Sequence, residues 1–181
     1  GRLVPRVEIL IVDRDGRRAP HGHDGEIWMR SRAICHGYLH APDKTAAEFS
    51  EGYWKSGDFG RIDGNGYLYV LDRVKDTIRC NDQNVYPSAV EAAIGAHPRV
   101  MMAAVVGIAD ATCGEYVHAE IVLRPGESID YDELRQFLDG RLSDNDLPRT
   151  IGIAPSLPLT AVGKVLRRVV RETCQRKNDA S

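Results

Sequence analysis

Up to about Asp72, apolar positions come in short runs broken by turn-forming residues. Val7–Val12 alternates imperfectly and runs into Asp13-Arg14-Asp15-Gly16, which predicts a strand closed by a turn. Residues 25–30 set Ile27 and Met29 on one face, as a half-buried strand does. Residues 45–49 place Ala46, Ala47 and Phe49 near one side of a short helix. Residues 58–63 and 67–71 flank Gly64-Asn65-Gly66, and an Asn-Gly pair between apolar runs is a strong hairpin signal.

The pattern changes from Arg73 onward. Pro87 fits the first turn of a helix, and Val90, Ala93 and Ile94 follow at i, i+3 and i+4 before Pro98 stops it. Residues 100–108 form a continuous apolar run suited to a central strand, and 117–123 predict another, ending at Arg124-Pro125-Gly126. Residues 130–143 read as an amphipathic helix with Leu134, Phe137, Leu138 and Leu142 on one stripe and acidic residues in the first turn. A short strand over 151–153, a loop at Gly163-Lys164 and a helix from about Val165 complete the series. Helices and strands that do not alternate strictly predict an α+β fold. The expected division is a strand-rich, distorted-barrel-like segment over 1–72 and a small mixed α/β domain over 73–181. The boundary, 72–76, is short and charged with no Ser- or Pro-rich linker, the form a two-position hinge takes.

Composition narrows the function classes. The chain has 181 residues, 43% hydrophobic and 28% charged, which describes a globular protein. A net charge of −2 gives no electrostatic footprint for nucleic acid. No apolar run approaches the ~18 residues of a membrane span. Cys35, Cys80, Cys113 and Cys174 are scattered with no C-x-x-C pair, which predicts reduced thiols and a cytoplasmic protein. Gly1 opens directly onto a strand-like run with no initiator methionine, and the expectation is a piece of something longer.

Several residues could carry chemistry. Lys164 sits on a glycine-hinged loop before a basic helix, where a loop movement could deliver its charge to developing anionic oxygens. By position alone, a solvated surface lysine is the commoner fate. Gly163-Lys164 is not a phosphate-cradling Walker loop, since Pro158 and Val165 stand where glycine and Ser/Thr are needed. Asp58, in a Ser-Gly-Asp turn after Tyr53-Trp54, could accept both vicinal hydroxyls of a ribose or could simply bond its own turn. Arg73 and Asp76 alone read as a surface ion pair. His21, His23, His36 and His40 lack the spacing of a ligand set, so no metal site is expected.

The order of these segments resembles the adenylate-forming superfamily, which includes acyl-CoA synthetases, the adenylation domains of peptide synthetases and firefly luciferase. The matching residues are Gly25-Glu26-Ile27, Gly37-Tyr38 with Pro42, Thr45, Ala46 and Phe49, then Trp54 to Asp58. Next come Gly66-Tyr67-Leu68-Tyr69 and Asp72-Arg73-Val74-Lys75-Asp76. Asn84-Val85-Tyr86-Pro87 through Val90-Glu91, Gly114-Glu115, and Leu157 to Arg168 complete the set. The similarity runs through nearly the whole chain in one register. Asn-Val-Tyr-Pro looks more like acyl- or aryl-CoA ligases than peptide-synthetase domains.

The resemblance implies an AMP-forming acyl-CoA synthetase acting on a carboxylic acid, ATP and coenzyme A. Asp58 and Arg73 would bind the ribose. Lys164 would bridge the substrate carboxylate and the α-phosphate. Lys75 matches the hinge, and rotation there would replace Lys164 by the 78–84 loop, with Arg79, Cys80, Asn81, Asp82 and Asn84 along the path of CoA. Cys80-Asn81-Asp82 departs from the small glycines usual there, although Asn and Asp tolerate left-handed backbone. The glycine- and threonine-rich phosphate loop, the acyl pocket and the Mg2+ would belong to an upstream domain of the same chain. Residues 1–72 would be that domain's last subdomain, and the isolated piece would be inactive. The alternatives are a stand-alone, non-catalytic binding or regulatory module with the lid fold, or an adenylation domain that passes the acyl group to another acceptor.

Overall fold

The computed structural model describes residues 1–179, which divide into two compact units, Gly1–Lys75 and the part from Asp76 onward. In the first unit, β1 (Val7–Val12) pairs antiparallel with β2 (Gly25–Ser31) through the full length of β1, from Val7 opposite Ser31 to Val12 opposite Glu26. A seven-residue helix, α1 (Pro42–Glu48), leads into the two-residue strand β3 (Phe49–Ser50). Phe49, expected to close the helix, is extended instead. The ten-residue strand β4 (Tyr53–Ile62) pairs with β2 along one edge, and with β3 and then β5 (Leu68–Arg73) along the other. A bulge at Phe59/Gly60 interrupts the β4–β5 ladder, the kind of defect that bends and twists a sheet.

The β4–β5 turn is built on Asp63. Its carboxylate accepts the backbone N–H groups of Asn65 and Tyr67, both at 2.9 Å, while Gly66 takes φ +79°. These donors, Tyr67 foremost, hold the Asp63 carboxyl below its ordinary value. Ile11, Ala19 and Ile27 are buried together, with Ile9, Met29, Ile62 and Leu68 packed against them. The alternation in β1 and β2 thus turns one sheet face into a small core.

The second unit starts with a tight hairpin of β6 (Ile78–Cys80) and β7 (Gln83–Val85), then α2 (Pro87–Gly95) with proline in its first turn. The long strands β8 (Val100–Asp110) and β9 (Gly114–Leu123) pair antiparallel. After α3 (Tyr131–Leu138), β10 (Thr150–Ile153) adds in parallel on β9, and α4 (Arg167–Asp179) follows. The sheet order is β10-β9-β6-β7, with β8 also on β9.

Alternation sorts the sheet's two faces. Val105, Ala119 and Ile121 pack with Val90, Ile94, Leu134 and Leu138 of α2 and α3. Ala104, Val106, Ile108 and Val122 pack with Val170 and Cys174 of α4. Each such Val, Leu or Ile contributes about 1.5–3 kcal/mol on burial, so the 100–108 run reads as uniformly apolar because both its faces are covered.

Two helices are shorter than their apolar stripes predict. Asp130 caps α3, its Oδ1 accepting the Glu133 N–H at 2.8 Å, but the helix stops at Leu138 and Gly140 takes φ +71°. Leu142 still packs on the core from beyond the helix, so the stripe marks burial rather than helix length. The final helix begins at Arg167, because Val165 forms a bridge with Leu159. All four cysteines are free thiols. Among the described residues, no helix is long and apolar enough to cross a membrane.

Candidate active site

Lys164 projects from a small closed loop. The Thr160 N–H donates to the Lys164 carbonyl at 2.7 Å, and the Lys164 N–H donates back to Thr160 Oγ1 at 3.0 Å. The Gly163 N–H bonds the Thr160 carbonyl at 2.9 Å, and Gly163 takes φ +78° with open space where a Cβ would stand. Glycine is therefore needed here for conformation, not for room. The lysine itself is exposed. Its backbone is held by its own loop, and its side chain is left at the surface.

Three residues later the chain is fixed. Arg167 presents Nε and Nη2 to the two oxygens of Glu91, at 3.0 and 2.6 Å, a bidentate fork. Glu91 Oε1 also accepts the Val105 N–H at 2.9 Å. Arg167 Nη1 lies 3.7 Å from Asp76. One arginine thus ties the root of the Lys164 loop to α2, to β8 and to the first residue of the second unit. Glu91 and Arg167 both lie in the motifs that carry the resemblance, but neither has a role legible there. An acid in a helix and a basic residue 76 positions later carry no local signal of pairing.

Asp58 and Arg73 are brought together within the first unit. They face each other in the β4–β5 register, with Arg73 Nε 3.0 Å from Asp58 Oδ1. The expected Ser-Gly-Asp turn is instead part of β4: Gly57 takes φ +69° inside the strand, and the Asp58 N–H is held by Ser56 Oγ at 3.1 Å. A single left-handed glycine lets the strand kink without ending. The Asp58 carboxylate is 29% exposed and the Arg73 side chain 54%, so a ligand can reach both. Lys75 is the last residue of the first unit and is exposed.

The 78–84 segment, expected as a loop, is a β-hairpin. Asn81 and Asp82 are its two turn residues, with φ of 50° and 61°. Positive φ at both central positions is the turn that suits the twist of paired strands, and Asn and Asp are among the few side chains that tolerate it. Arg79 and Cys80 lie on β6 and Asn84 on β7. The Arg79 N–H donates to Glu115 Oε2 at 2.9 Å, and the Asn81 N–H to the Cys113 carbonyl at 3.1 Å. Gly107 leaves the space Glu115 fills, since a Cβ there would lie 2.7 Å from its carboxylate. An open groove of about 440 Å³ runs beside Asn81, bordered by Thr112, Cys113, Asn145 and Arg149. The larger groove of the first unit, about 1000 Å³, is lined by Arg6, Glu8, Arg30 and Arg32 and includes none of the expected site residues.

The family of AMP-binding enzyme C-terminal domains matches residues 89–164. The chain is 38% identical over 172 residues to the fatty acid–[acyl-carrier-protein] ligase ScoC of Streptomyces coeruleorubidus, covering 95% of this chain and 33% of that protein. It superposes on the amide bond synthetase McbA of Marinactinospora thermotolerans with a TM-score of 0.85 and 38% identity, over 96% of this chain and 36% of that one. On ATP-bound MatB of Rhodopseudomonas palustris the TM-score is 0.87 at 35% identity, over 97% and 35% of the two chains. The chain spans about a third of the length of the relatives it matches. The match to AMP-binding enzyme C-terminal domains, together with this likeness in sequence and fold, places the chain in the adenylate-forming superfamily, whose C-terminal domain it carries.

Proposed function

We propose that this chain works as the C-terminal third of an AMP-forming acid–CoA ligase. The unit Gly1–Lys75 closes the large nucleotide-binding body, three residues further than the expected boundary at 72 because Arg73 pairs with Asp58 in β4–β5, and the part from Asp76 onward forms the mobile lid. The observation that carries the reading is the Lys164 loop: an exposed cation on a rigidly hydrogen-bonded tip whose base is held by Arg167. A charge so mounted moves with its domain as a unit, which is what preorganised stabilisation of a developing anion requires.

In this reading a carboxylate oxygen of the substrate attacks the α-phosphorus of ATP, the bond to the β-phosphate oxygen breaks, and pyrophosphate leaves. The Lys164 ammonium lies against the carboxylate and α-phosphate oxygens as charge redistributes between them. The Asp58 carboxylate accepts the ribose hydroxyls, and Arg73 holds it in place. Rotation about Lys75 then exchanges the Lys164 loop for the 78–85 hairpin. The CoA sulfur, losing its proton, attacks the acyl carbon and releases AMP. Arg79, Cys80, Asn81, Asp82 and Asn84 line the approach of the pantetheine arm. Mg2+ is assigned to the upstream part of the protein, along with the phosphate loop and the acyl pocket. The polypeptide 1–181 alone is then silent, and the assembled enzyme works in the cytoplasm.

A second reading differs only in the acceptor. Relatives include a ligase for acyl-carrier protein and an amide bond synthetase, so the acyl group could pass to a carrier thiol or an amine. Carboxylate-dependent exchange of pyrophosphate into ATP by the full-length protein, over a panel of acids, tests adenylation. Its loss in Lys164→Ala is expected, and exchange by the isolated 1–181 chain would overturn the assignment of the phosphate loop. Product analysis with CoA, carrier protein and amines then separates the acceptors.

A further inference from the structure

The face of the sheet beneath α4 is apolar except at two adjacent positions. Along β9 the residues on this face are Tyr116, His118, Glu120 and Val122, and β8 contributes Ala104, Val106 and Ile108. His118 and Glu120 interrupt that stripe, and Cys174 of α4 comes down on them. His118 Nε2 is 3.1 Å from Glu120 Oε2, Cys174 Sγ is 3.7 Å from the same oxygen, and all three atoms lie within 4.8 Å of one another. The His118 and Glu120 side chains are 12% and 10% exposed, and Cys174 is buried.

An imidazole, a carboxylate and a thiol bond one another at Glu120 Oε2 and bring three different donor atoms to one point beneath a helix. From this geometry we infer that His118, Glu120 and Cys174 bind a Zn2+-class cation that pins α4 to the sheet. Mixed N, O and S donors suit zinc and cobalt, whereas magnesium and calcium call for oxygen alone. Tetrahedral zinc, with bonds of about 2.0–2.3 Å, separates its ligand atoms by roughly 3.3–3.6 Å. Two of the separations already straddle that range, and the third closes by a side-chain shift of about 1 Å.

The surroundings fit the same reading. His118 Nδ1 lies 2.8 Å from Thr150 Oγ1, the second hydrogen bond that ligating histidines use to fix ring orientation. Gly152, opposite Glu120 in the β9–β10 pair, leaves the carboxylate its place, since a Cβ there would stand 2.2 Å from Oε2. Lys177 lies 4.0 Å from the other Glu120 oxygen but is 69% exposed, so it can turn to solvent when a divalent ion takes the carboxylate. With a thiolate and a carboxylate, Zn2+ would be neutralised in place, and a water would complete four ligands. Positions 118, 120 and 174 have no local spacing in common, which is why the sequence suggested no metal.

The test is Co2+ titration of the full-length protein followed by Zn2+ competition. The expected result is one high-affinity equivalent with a thiolate-to-cobalt charge-transfer band, displaced by Zn2+. That band disappears in Cys174→Ser, and affinity falls about 10–100-fold in Thr150→Val, which keeps all three ligands. Zn2+ also raises the melting temperature of the wild type and not of Glu120→Gln, a near-isosteric change chosen in case Cys174→Ser folds poorly. Absence of the charge-transfer band in the wild type would overturn the inference. So would a band that survives in folded Cys174→Ser, or a Zn2+ stabilisation that Glu120→Gln leaves intact.

Discussion

Arg167 and Glu91 meet in a two-point ion pair at 2.6 and 3.0 Å, with both side chains about four-fifths buried. The pair does two jobs at once. It fixes the chain three residues after Lys164, and it satisfies the Val105 N–H on the outer edge of β8 through Glu91. Removing either member leaves the other charge in a largely desolvated place.

Arg167→Ala should therefore destabilise the protein by about 2–4 kcal/mol, a little under the ~3–5 kcal/mol for a fully buried pair because about a fifth of each side chain stays exposed. Arg167→Lys should recover only part of this, because an ammonium cannot make the two-point fork. Urea denaturation of the three proteins reads the difference. Equal stability of wild type and Arg167→Ala would show that the pair is a passive surface contact.

Lys164→Ala should behave in the opposite way. The side chain is exposed and its loop is closed by backbone and Thr160 bonds, so stability should change by less than ~0.5 kcal/mol. Adenylation by the full-length protein should fall about 10²–10³-fold. Comparing melting temperature with pyrophosphate-exchange rate separates the two effects. Retained exchange would remove Lys164 from the mechanism.

Asp58→Ala should act on nucleotide binding more than on the chemical step. Hydrogen bonds to a charged group contribute about 1.5–3 kcal/mol, so the KM for ATP should rise about tenfold or more while kcat moves less than in Lys164→Ala. Steady-state kinetics with ATP varied would show this split, and an unchanged KM would free Asp58 from the ribose.

The 81–82 turn makes a conformational prediction. Both residues sit at positive φ, where a β-branched side chain is strained by about 1–2 kcal/mol. Asn81→Val should lower stability by that amount, and Asp82→Gly should leave it unchanged or slightly raised. Denaturation midpoints of the two variants decide between a strained turn and a tolerant loop.

Asp110 sets an acid limit for the β8–β9 turn. The Thr112 hydroxyl, then the backbone N–H groups of Thr112 and Cys113, hold its carboxyl far below the usual carboxylate range. The native state then binds fewer protons than the unfolded chain between that lowered value and the ordinary ~3.9. Its contribution is present above the ordinary value and is lost as pH falls through the lowered one. Asp110→Asn should lower the melting temperature at pH 6 and leave a smaller deficit at pH 2.5 than at neutral pH, in parallel thermal scans.

Periodicity and turn chemistry alone determined the α+β class, nearly every long strand, the Asn65-Gly66 hairpin and the start of α2. These are local: alternation fixes which side of a strand is buried, and proline or glycine fixes a backbone angle wherever the chain is placed. Motif order also determined the superfamily and singled out Lys164, Asp58 and Arg73. The tertiary structure decided what depends on distant partners. It ended α3 at Leu138 although the apolar stripe runs on to Leu142, and it drew Ser56-Gly57-Asp58 into β4 because β2 pairs with the residues on either side, Trp54 and Lys55 and then Phe59 and Gly60, while Arg73 of β5 takes Asp58. It turned the 78–84 loop into a hairpin, paired Glu91 with Arg167 across 76 positions, and gathered His118, Glu120 and Cys174 under α4. Those outcomes rest on pairing and packing between segments far apart in the chain, and no local pattern encodes which segments will meet.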